Sequence, residues 1–174
     1  MLSSDKIEDY IRTVQDFPEP GIAFKDISPL LDNPKAFQQV IDELAEKSAP
    51  YGCDKVMAID ARGFIFGTAL AQKLGVGLGM IRKAGKLPYT TVTTSYDLEY
   101  GRSTVEMHVD AVEQGQNILL VDDVLATGGT AAAAIRLIEE CNAKVTALAV
   151  LVELKELEGQ QYFKHIPVIT NVSC

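Results

Sequence analysis

The chain has 174 residues, of which 47% are hydrophobic and 23% are charged, and its formal net charge at pH 7 is −8. These values are typical of one globular domain and exclude a disordered chain or a coiled coil. The negative charge argues against sequence-independent binding to nucleic acid, but it does not exclude a local basic pocket.

The first part of the chain predicts two helices separated by a turn. Apolar side chains recur at helical spacing over residues 4–14, and the two prolines and the glycine of DFPEPG (16–21) end that pattern. Asn33 is followed by a proline, which is typical of an N-cap and the first residue of a helix. The apolar positions of residues 37–44 then predict an amphipathic helix.

From residue 55 onward, short apolar runs alternate with helical patterns. One helix is predicted to follow residue 61 and to end at Gly75, and another is predicted over residues 130–140. Five strands are predicted, at residues 56–59, 76–81, 117–121, 145–152 and 166–170. Strands that alternate with helices imply right-handed βαβ units, so we predict an α/β fold with a central, mostly parallel sheet flanked by helices.

Residues 82–116 interrupt this alternation. Residues 82–101 are polar and show little helical periodicity, whereas residues 102–110 alternate apolar and polar side chains as a half-exposed strand does. An irregular insertion of about 20 residues in a compact domain is usually a functional lid or a disordered segment. We therefore predict a flexible lid and its return strand over residues 82–110.

Signals for metal binding and for membranes are weak. Cys53, Cys141 and Cys174 form no CxxC pair, and the chain has only two histidines, His108 and His165. A zinc or iron–sulfur site built by the protein is therefore not expected. The N-terminal MLSSDKIEDY lacks the apolar core of a signal peptide, and no apolar run reaches the roughly 20 residues of a membrane span. We expect a soluble, cytoplasmic protein.

The most informative stretch is ILLVDDVLATGGT, at residues 118–130. A buried strand is predicted to end in two carboxylates, after which a turn of small residues opens a helix. Glycines let backbone amides approach a ligand closely, and a helix N-terminus offers unpaired N–H groups and a positive dipole. We predict a cradle for one phosphate monoester, which differs from a Walker A loop because the lysine is absent. The cradle consists of Ala126, Thr127, Gly128, Gly129 and Thr130.

The two carboxylates indicate what else the cradle binds. Acids beside a phosphate would repel it unless they face another group. Ionised carboxylates accept hydrogen bonds from vicinal hydroxyls such as the 2- and 3-hydroxyls of a ribose. We infer that Asp122 and Asp123 bind ribose and that the ligand contains ribose 5-phosphate. For either feature alone, a solvated pair of acids or an ordinary glycine turn is the alternative, but the complete ordered string disfavours it.

This string resembles the phosphoribosyl-pyrophosphate signature of the type I phosphoribosyltransferases. Further motifs follow the order seen in the adenine-specific branch of that family, and the match runs from about residue 16 to residue 153. The motifs are FPEPGIAFKDISPLL (17–31), ARGFIFG (61–67), RKAGKLP (82–88), SYDLEYG (95–101) and VDDVLATGGT (121–130). The resemblance implies one domain over residues 1–174 with the type I phosphoribosyltransferase fold, a flexible lid and a small N-terminal hood at residues 1–35.

The reaction that the resemblance implies displaces pyrophosphate from C1 of phosphoribosyl pyrophosphate by N9 of adenine and gives AMP. It also implies a homodimer and Mg²⁺, which would neutralise part of the pyrophosphate charge. A basic cluster in an acidic chain suits pyrophosphate, although lysines around a glycine also occur in solvated turns. The cluster consists of Arg82, Lys83 and Lys86. Arg62 would bind pyrophosphate as well, or reach the site across the dimer interface; a surface salt bridge is the alternative.

The resemblance assigns the base site to the N-terminal hood. Phe24 would stack on adenine, and backbone groups near Ala23 and Lys25 would read the edge of the base; by identity alone, Phe24 is more often a core residue. Adenine offers N6–H₂ as a donor and N1 as an acceptor, a pattern that hypoxanthine and guanine reverse. Glu99 is the candidate acid/base for the adenine proton, with a solvated lid charge as its alternative.

Two other functions are alternatives to this one. A phosphoribosyltransferase for another purine base is disfavoured by FPEPGIAFKDISP, which resembles the adenine branch. A regulator that senses phosphoribosyl pyrophosphate would need a DNA- or RNA-binding module, and neither the composition nor the net charge of −8 indicates one. We expect adenine, phosphoribosyl pyrophosphate, AMP and pyrophosphate as partners, with no nucleic acid and no membrane.

Overall fold

The structure, a computed structural model, describes residues 6–98 and 101–174. The strands are β1 (Arg12–Gln15), β2 (Ala23–Asp26), β3 (Lys55–Ile59), β4 (Gly77–Lys83), β5 (Thr91–Leu98), β6 (Gly101–His108), β7 (Asn117–Leu125), β8 (Lys144–Glu153) and β9 (Val168–Ser173). The helices are α1 (Ser28–Asp32), α2 (Pro34–Ser48), α3 (Gly63–Leu74) and α4 (Gly129–Glu140).

Seven strands form the central sheet in the order β5-β6-β4-β3-β7-β8-β9, and β1 and β2 form a separate two-stranded sheet. The five strands from β4 to β9 in this order are parallel, whereas β6 is antiparallel to both β4 and β5. The predicted α/β class with a mostly parallel central sheet is therefore confirmed. The predicted cap is confirmed too, because the Asn33 side chain accepts hydrogen bonds from the N–H groups of Lys35 and Ala36.

The core consists of two layers because the buried strands place successive side chains on opposite faces. Met57 and Ile59 of β3 belong to the layer that α4 covers, whereas Val56 belongs to the layer beneath α2 and α3. Apolar side chains are thus required on both faces of the strand, as the continuous run VMAI indicated. Two covered faces leave the ends of the strands as the place for polar ligands.

The predicted helix over residues 4–14 is wrong beyond one short 3-10 turn at Ile7–Tyr10. Residues Arg12–Gln15 form β1 and pair antiparallel with Ala23–Asp26. The proline-containing turn between them folds the chain back, so hairpin hydrogen bonds replace the local helical ones. Ile7 is buried against the main core, but Val14 is not, which is why helical spacing misled the prediction.

The polar insertion after residue 82 is also more ordered than expected. Residues 84–90 form a loop, but Thr91–Leu98 is a strand that pairs with β6 along its whole length. Its β-branched threonines favour extended backbone, and Val92 and Tyr96 pack against the core layer beneath α4. The last predicted strand, at residues 166–170, lies at Val168–Ser173.

Candidate active site

Three parallel strands bring the predicted site residues to one edge of the sheet. The register pairs Ala58 of β3 with Val121 of β7, and Ile59 of β3 with Ile81 of β4. The residues that follow these positions are therefore neighbours at the carboxyl ends of the strands, where open α/β sheets bind ligands. At this edge lie residues 60–62, 82–86 and 122–130.

Strand β7 continues past the end of β3, whereas the sequence predicted that it would stop at Val121. The segment from Asp122 to Leu125 pairs with β8 and lies beyond the register with β3. The ten residues of β8 provide partners along the whole of β7, which explains the extra length. Both carboxylates therefore lie on the overhang of β7, the segment from residue 122 to residue 125 that extends past β3 and is paired only with β8.

The turn after β7 is packed backbone to backbone. Gly128 has a φ of +86°, and a Cβ atom on it would overlap the carbonyl oxygen of Gly159. A Cβ atom on Gly159 would in turn overlap the carbonyl oxygen of Ala126. The glycine at 159 was missed by the sequence prediction, because its importance depends on a contact with a turn about thirty residues away.

Helix α4 starts at Gly129, directly after this turn, and its first turn contains no acidic residue. Its free N–H groups and its positive dipole end therefore meet no competing carboxylate within the helix. A small cavity at this point is lined by Asp122 and by residues 124–131. Backbone donors and the hydroxyls of Thr127 and Thr130 are the groups that this cavity offers to an anion.

The two carboxylates differ in their surroundings. Asp123 is 6% exposed, and its Oδ2 atom lies 2.7 Å from Nε of Arg62. Asp122 accepts a hydrogen bond of 2.8 Å from the backbone N–H of Asp123. Burial raises the pKa of Asp122 well above its usual range and the neighbouring Asp123 charge adds to the rise, although that N–H group and Arg62 oppose it. Asp122 therefore holds a proton more tightly than an exposed carboxyl does.

Arg62 connects the acids on β7 with the N-terminal hairpin. Besides its ion pair with Asp123, its guanidinium carbon lies 4.8 Å from the centre of the Phe24 ring. Its Nη1 atom donates a hydrogen bond of 3.5 Å to the carbonyl oxygen of Lys25. The arginine is thus partly buried between the two regions that the sequence assigned to ribose and to the base.

The hairpin presents Phe24 to the site rather than to the core. The ring is partly exposed and contacts the ring of Phe17 edge to face, with 5.2 Å between the ring centres. Ala23 is exposed, and the Lys25 ammonium donates a hydrogen bond of 3.1 Å to the Thr13 hydroxyl. The Lys25 side chain is therefore engaged within the hairpin, while the backbone of residues 23–25 borders the site.

Of the three residues in the basic cluster, Arg82 has partners within the protein, whereas the ammonium groups of the two lysines have none among the described residues. Nε of Arg82 lies 2.9 Å from Oδ2 of Asp60, and its Nη1 donates to the carbonyl oxygen of Lys86 at 3.3 Å. Lys83 and Lys86 are exposed, and within the described residues their ammonium groups make neither an ion pair nor a hydrogen bond. The ammonium groups of these two lysines are thus available to bind an anion from solution.

A buried carboxylate holds the loop that carries Lys86. Oε1 of Glu106, which is 4% exposed, accepts hydrogen bonds of 2.9 Å from the N–H groups of both Lys86 and Leu87. Burial raises the pKa of Glu106, but the N–H groups of residues 85–87 and the Thr91 hydroxyl together hold it below its usual value. Because backbone donors satisfy this carboxylate, it leaves the neighbouring lysines unpaired.

Strand β5, the predicted lid strand, contacts the predicted phosphate turn (residues 126–130) through Tyr96, whose hydroxyl oxygen lies 3.0 Å from Oγ1 of Thr130. The predicted acid/base, Glu99, lies outside the described residues, as does the neighbouring Tyr100. Tyr96 and Glu106 were not identified from sequence. An alternating strand pattern placed Glu106 on a polar face, and nothing in that pattern indicated that another loop would bury it.

The described part of the chain contains no group of three or more His, Cys, Asp or Glu side chains placed to hold a metal ion. Among residues 6–98 and 101–174, no helix has both the length and the apolar character needed to cross a membrane.

Comparison with known proteins gives consistent results. The family described as "Phosphoribosyl transferase domain" matches residues 26–172. A curated relative named adenine phosphoribosyltransferase, from Maridesulfovibrio salexigens, is 54% identical over 154 residues, which are 88% of this chain and 91% of that protein.

Solved structures agree with the curated relative. The adenine phosphoribosyltransferase of Rhodothermus marinus superimposes with a TM-score of 0.92 and 48% identity, covering 97% of this chain and 96% of that one. The Saccharomyces cerevisiae adenine phosphoribosyltransferase, complexed with an imino-altritol bisphosphate and adenine, superimposes with a TM-score of 0.89 and 37% identity. That match covers 95% of this chain and 96% of the yeast chain.

Proposed function

The chain belongs to the phosphoribosyl transferase family, and from that premise we propose how its residues carry out the reaction of the adenine-specific branch. The chain is an enzyme that transfers the 5-phosphoribosyl group of phosphoribosyl pyrophosphate to adenine and gives AMP and pyrophosphate, a step of purine salvage. Its fold is the type I phosphoribosyltransferase fold. The observation that best supports the site is the overhang of β7, which brings two carboxylates beside a backbone cradle.

We assign the ribose 5-phosphate to this overhang and its turn. Backbone N–H groups and hydroxyls of residues 126–130 bind the 5-phosphate, and Asp122 and Asp123 bind the ribose hydroxyls. Departure of pyrophosphate leaves positive charge on the ribose ring. Negative charge fixed beside the ring stabilises that charge in the transition state more than in the ground state, which lowers the barrier.

The pyrophosphate is assigned to the basic residues at the ends of β3 and β4. Lys83 and Lys86 are the principal ligands because their ammonium groups have no partner among the described residues. Arg82 orients the loop through Asp60, and Arg62 completes the cationic rim. Mg²⁺, when bound, would neutralise part of the pyrophosphate charge; this ion prefers phosphate oxygens and one or two carboxylates to a cage built by the protein, and Asp122 and Asp123 would supply those carboxylates.

Adenine is assigned to the hairpin. Phe24 stacks on the base, and the backbone groups of residues 23–25 bind its edge, since the Lys25 ammonium already binds Thr13. Arg62 touches Phe24 and Asp123 at once, so it aligns the base with the ribose. Glu99 remains our candidate for moving the adenine proton, a role that rests on the resemblance of SYDLEYG alone.

We also propose that the enzyme is a cytoplasmic homodimer. Three apolar side chains on packed neighbouring elements, Ile65 of α3 and Leu78 and Met80 of β4, are 39%, 37% and 42% exposed in the single chain. A second copy would remove them from water. The three cysteines, all within the described residues, are free thiols, as expected for a reducing compartment. Sedimentation of the purified protein at micromolar concentration should give twice the mass of the chain.

The function is tested by mixing the protein with phosphoribosyl pyrophosphate, Mg²⁺ and each of four bases: adenine, hypoxanthine, guanine and xanthine. We expect AMP from adenine and product from the other bases slower by orders of magnitude, because their edges leave buried groups unpaired. Tight binding of phosphoribosyl pyrophosphate without any AMP would contradict the assignment and favour a sensor.

The base site has its own test in Phe24→Ala. This change should raise the KM for adenine about tenfold and leave the KM for phosphoribosyl pyrophosphate within about twofold, because it removes a stacking partner from the base alone. Tyr51→Phe, at the opposite edge of the sheet, serves as the control. Equal effects on both KM values would return Phe24 to a structural role.

A further inference from the structure

The contact between Tyr96 and Thr130 joins the lid strand to the phosphate turn. The two hydroxyl oxygens are 3.0 Å apart, and 34 residues separate them in sequence. The aromatic ring lies against the start of α4, because a Cβ atom on Gly129 would be 3.4 Å from the ring carbon Cδ2. The tyrosine thus touches the turn through both its ring and its hydroxyl.

The position of Tyr96 is fixed by the strand that carries it. Tyr96 pairs with Ser103 of β6, and its ring packs against the core layer beneath α4. The preceding residue, Ser95, is tied to Thr104 by a hydroxyl–hydroxyl hydrogen bond of 2.8 Å. The hydroxyl of Tyr96 is therefore delivered to Thr130 by a paired strand.

We propose that Tyr96 is a positioning residue for the 5-phosphate and acts through the Thr130 hydroxyl. This inference rests on the proposed function, in which Thr130 binds that phosphate. A hydroxyl has one hydrogen to donate and two lone pairs to accept with. When Thr130 donates its hydrogen to a phosphate oxygen, it can only accept from Tyr96, so the hydrogen bonds run from Tyr96 to Thr130 to the phosphate.

This directed chain has two consequences. Each hydrogen bond polarises the next, so the Tyr96 hydroxyl makes Thr130 a better donor to the phosphate. The bound phosphate in turn fixes Thr130 as an acceptor and favours the position of β5 seen here. Along the chain, β5 leads directly into residue 99, the predicted acid/base. Binding of the 5-phosphate therefore stabilises the strand from which the candidate catalytic segment continues.

The test measures binding of two anions by calorimetry, ribose 5-phosphate and pyrophosphate, to four proteins: the wild type, Tyr96→Phe, Thr130→Val and the double variant. Tyr96→Phe keeps the ring and removes the hydroxyl. We expect it to weaken ribose 5-phosphate about fivefold and to leave pyrophosphate within about twofold, as for loss of one hydrogen bond. The double variant should bind ribose 5-phosphate no more weakly than Thr130→Val, since both changes break the same chain.

Two controls separate positioning from general damage. Tyr51→Phe removes a hydroxyl from an exposed tyrosine at the opposite edge of the sheet and should change neither affinity. Thr130→Ser keeps the hydroxyl. Tyr96→Phe made in the Thr130→Ser protein should therefore weaken ribose 5-phosphate binding about fivefold, as it does in the wild type. A lid that merely misfolds would weaken binding of both anions, because Lys86, a proposed pyrophosphate ligand, lies in the loop that leads into β5.

The outcomes are distinct. Unchanged or tighter binding of ribose 5-phosphate by Tyr96→Phe, with weaker binding by Thr130→Val, would overturn the role of Tyr96 and leave the proposed function standing. Additive effects in the double variant would overturn it as well. Equal affinity of the wild type and Thr130→Val for ribose 5-phosphate would instead contradict the proposed phosphate site itself.

Discussion

The two ends of the proposed substrate site hold negative charge in different ways. At the proposed 5-phosphate end, residues 126–130 contain no basic side chain, and the groups that they offer to an anion are backbone N–H groups in a turn that packs against Gly159. At the proposed pyrophosphate end, Lys83 is the last residue of β4 and Lys86 lies in the exposed loop that follows, whose backbone N–H groups are bound by the buried carboxylate of Glu106.

This difference follows the chemistry of the reaction. The 5-phosphate stays on the ribose in the substrate and in the product, so a fixed cradle that never has to release it between steps is suitable. Pyrophosphate is a ligand only until the bond to C1 breaks, and flexible ammonium groups can follow its growing charge and then let it leave. In the proposed site, backbone dipoles would hold the 5-phosphate, which stays on the ribose, and lysine side chains would hold the pyrophosphate, which departs.

The largest expected effect comes from comparing one glycine in each region. Gly128 and Gly85 have almost the same φ, +86° and +84°, but a Cβ atom on Gly128 meets the backbone of Gly159 whereas one on Gly85 meets nothing within 4 Å. Gly128→Ala should therefore lower kcat/KM at least about 100-fold, since the turn must move. Gly85→Ala should cost only the conformational free energy of a side chain at positive φ, about 1–2 kcal/mol.

Steady-state kinetics and thermal melts of both variants test this contrast. Gly159→Ala should reproduce the loss seen with Gly128→Ala, because it breaks the same contact from the other side. Equal losses in Gly128→Ala and Gly85→Ala would mean that backbone strain alone matters and that the tight packing of the turn does not.

The next effect concerns the acids on the overhang. Asp122→Asn should raise the KM for phosphoribosyl pyrophosphate at least about tenfold, since one of the two carboxyl oxygens that can accept from the ribose hydroxyls is replaced by an NH₂ donor. It should nevertheless raise the Tm at pH 7. Burial raises the pKa of Asp122, so the folded protein binds this proton more tightly than the unfolded chain, and the stability it contributes at low pH is lost as pH rises through that raised pKa.

Melts of the wild type and Asp122→Asn between pH 4 and pH 8 provide the readout. The Tm advantage of the variant should grow with pH over this range. A variant that is less stable than the wild type at pH 7, or an advantage that shrinks as pH rises, would contradict the raised pKa.

Much of this framework was predictable from sequence because its causes are local. Continuous apolar runs indicated strands covered on both faces, and Asn33 followed by proline indicated a helix start. The N-terminal hairpin was mistaken for a helix because the pairing of Arg12–Gln15 with Ala23–Asp26 is a contact between segments. The lid strand was missed for the same reason, since its threonines signal a strand only once β6 provides the partner.

A third prediction addresses the support under the lysine loop. Glu106→Ala leaves the N–H groups of Lys86 and Leu87 without their acceptor and should raise the KM for pyrophosphate in the reverse reaction about tenfold. Glu106→Gln keeps an oxygen at the same place and should stay within about threefold of the wild type. Binding of ribose 5-phosphate should change in neither variant, and a loss there would show that Glu106 supports the whole site.

The smallest effect is expected for the lysines themselves. Lys83→Ala and Lys86→Ala should each raise the KM for pyrophosphate about threefold at low salt, because exposed charges contribute little individually. The effect should become smaller as ionic strength rises to about 1 M, where the Debye length is only about 3 Å and the charges are largely screened. Lys164→Ala, which is also exposed, is the matched control. Salt-independent losses would argue against a purely electrostatic role.

Within the proposed site, the cradle and the acids could be predicted from sequence because they form one continuous string, and that prediction awaits its test. It could not identify Gly159, Tyr96 or Glu106, each of which acts through a contact with a distant segment. Nor did it predict that Arg62 would lie between Asp123 and Phe24, since a strand end and a hairpin meet there only in the folded chain.

The most direct test of the account is a crystal structure with AMP and pyrophosphate bound together. We expect the 5-phosphate within about 3.2 Å of backbone N–H groups in residues 127–130, the ribose hydroxyls on Asp122 and Asp123, and pyrophosphate beside Lys83 and Lys86. A 5-phosphate bound by the lysines, or a nucleotide bound away from the overhang of β7, would contradict it.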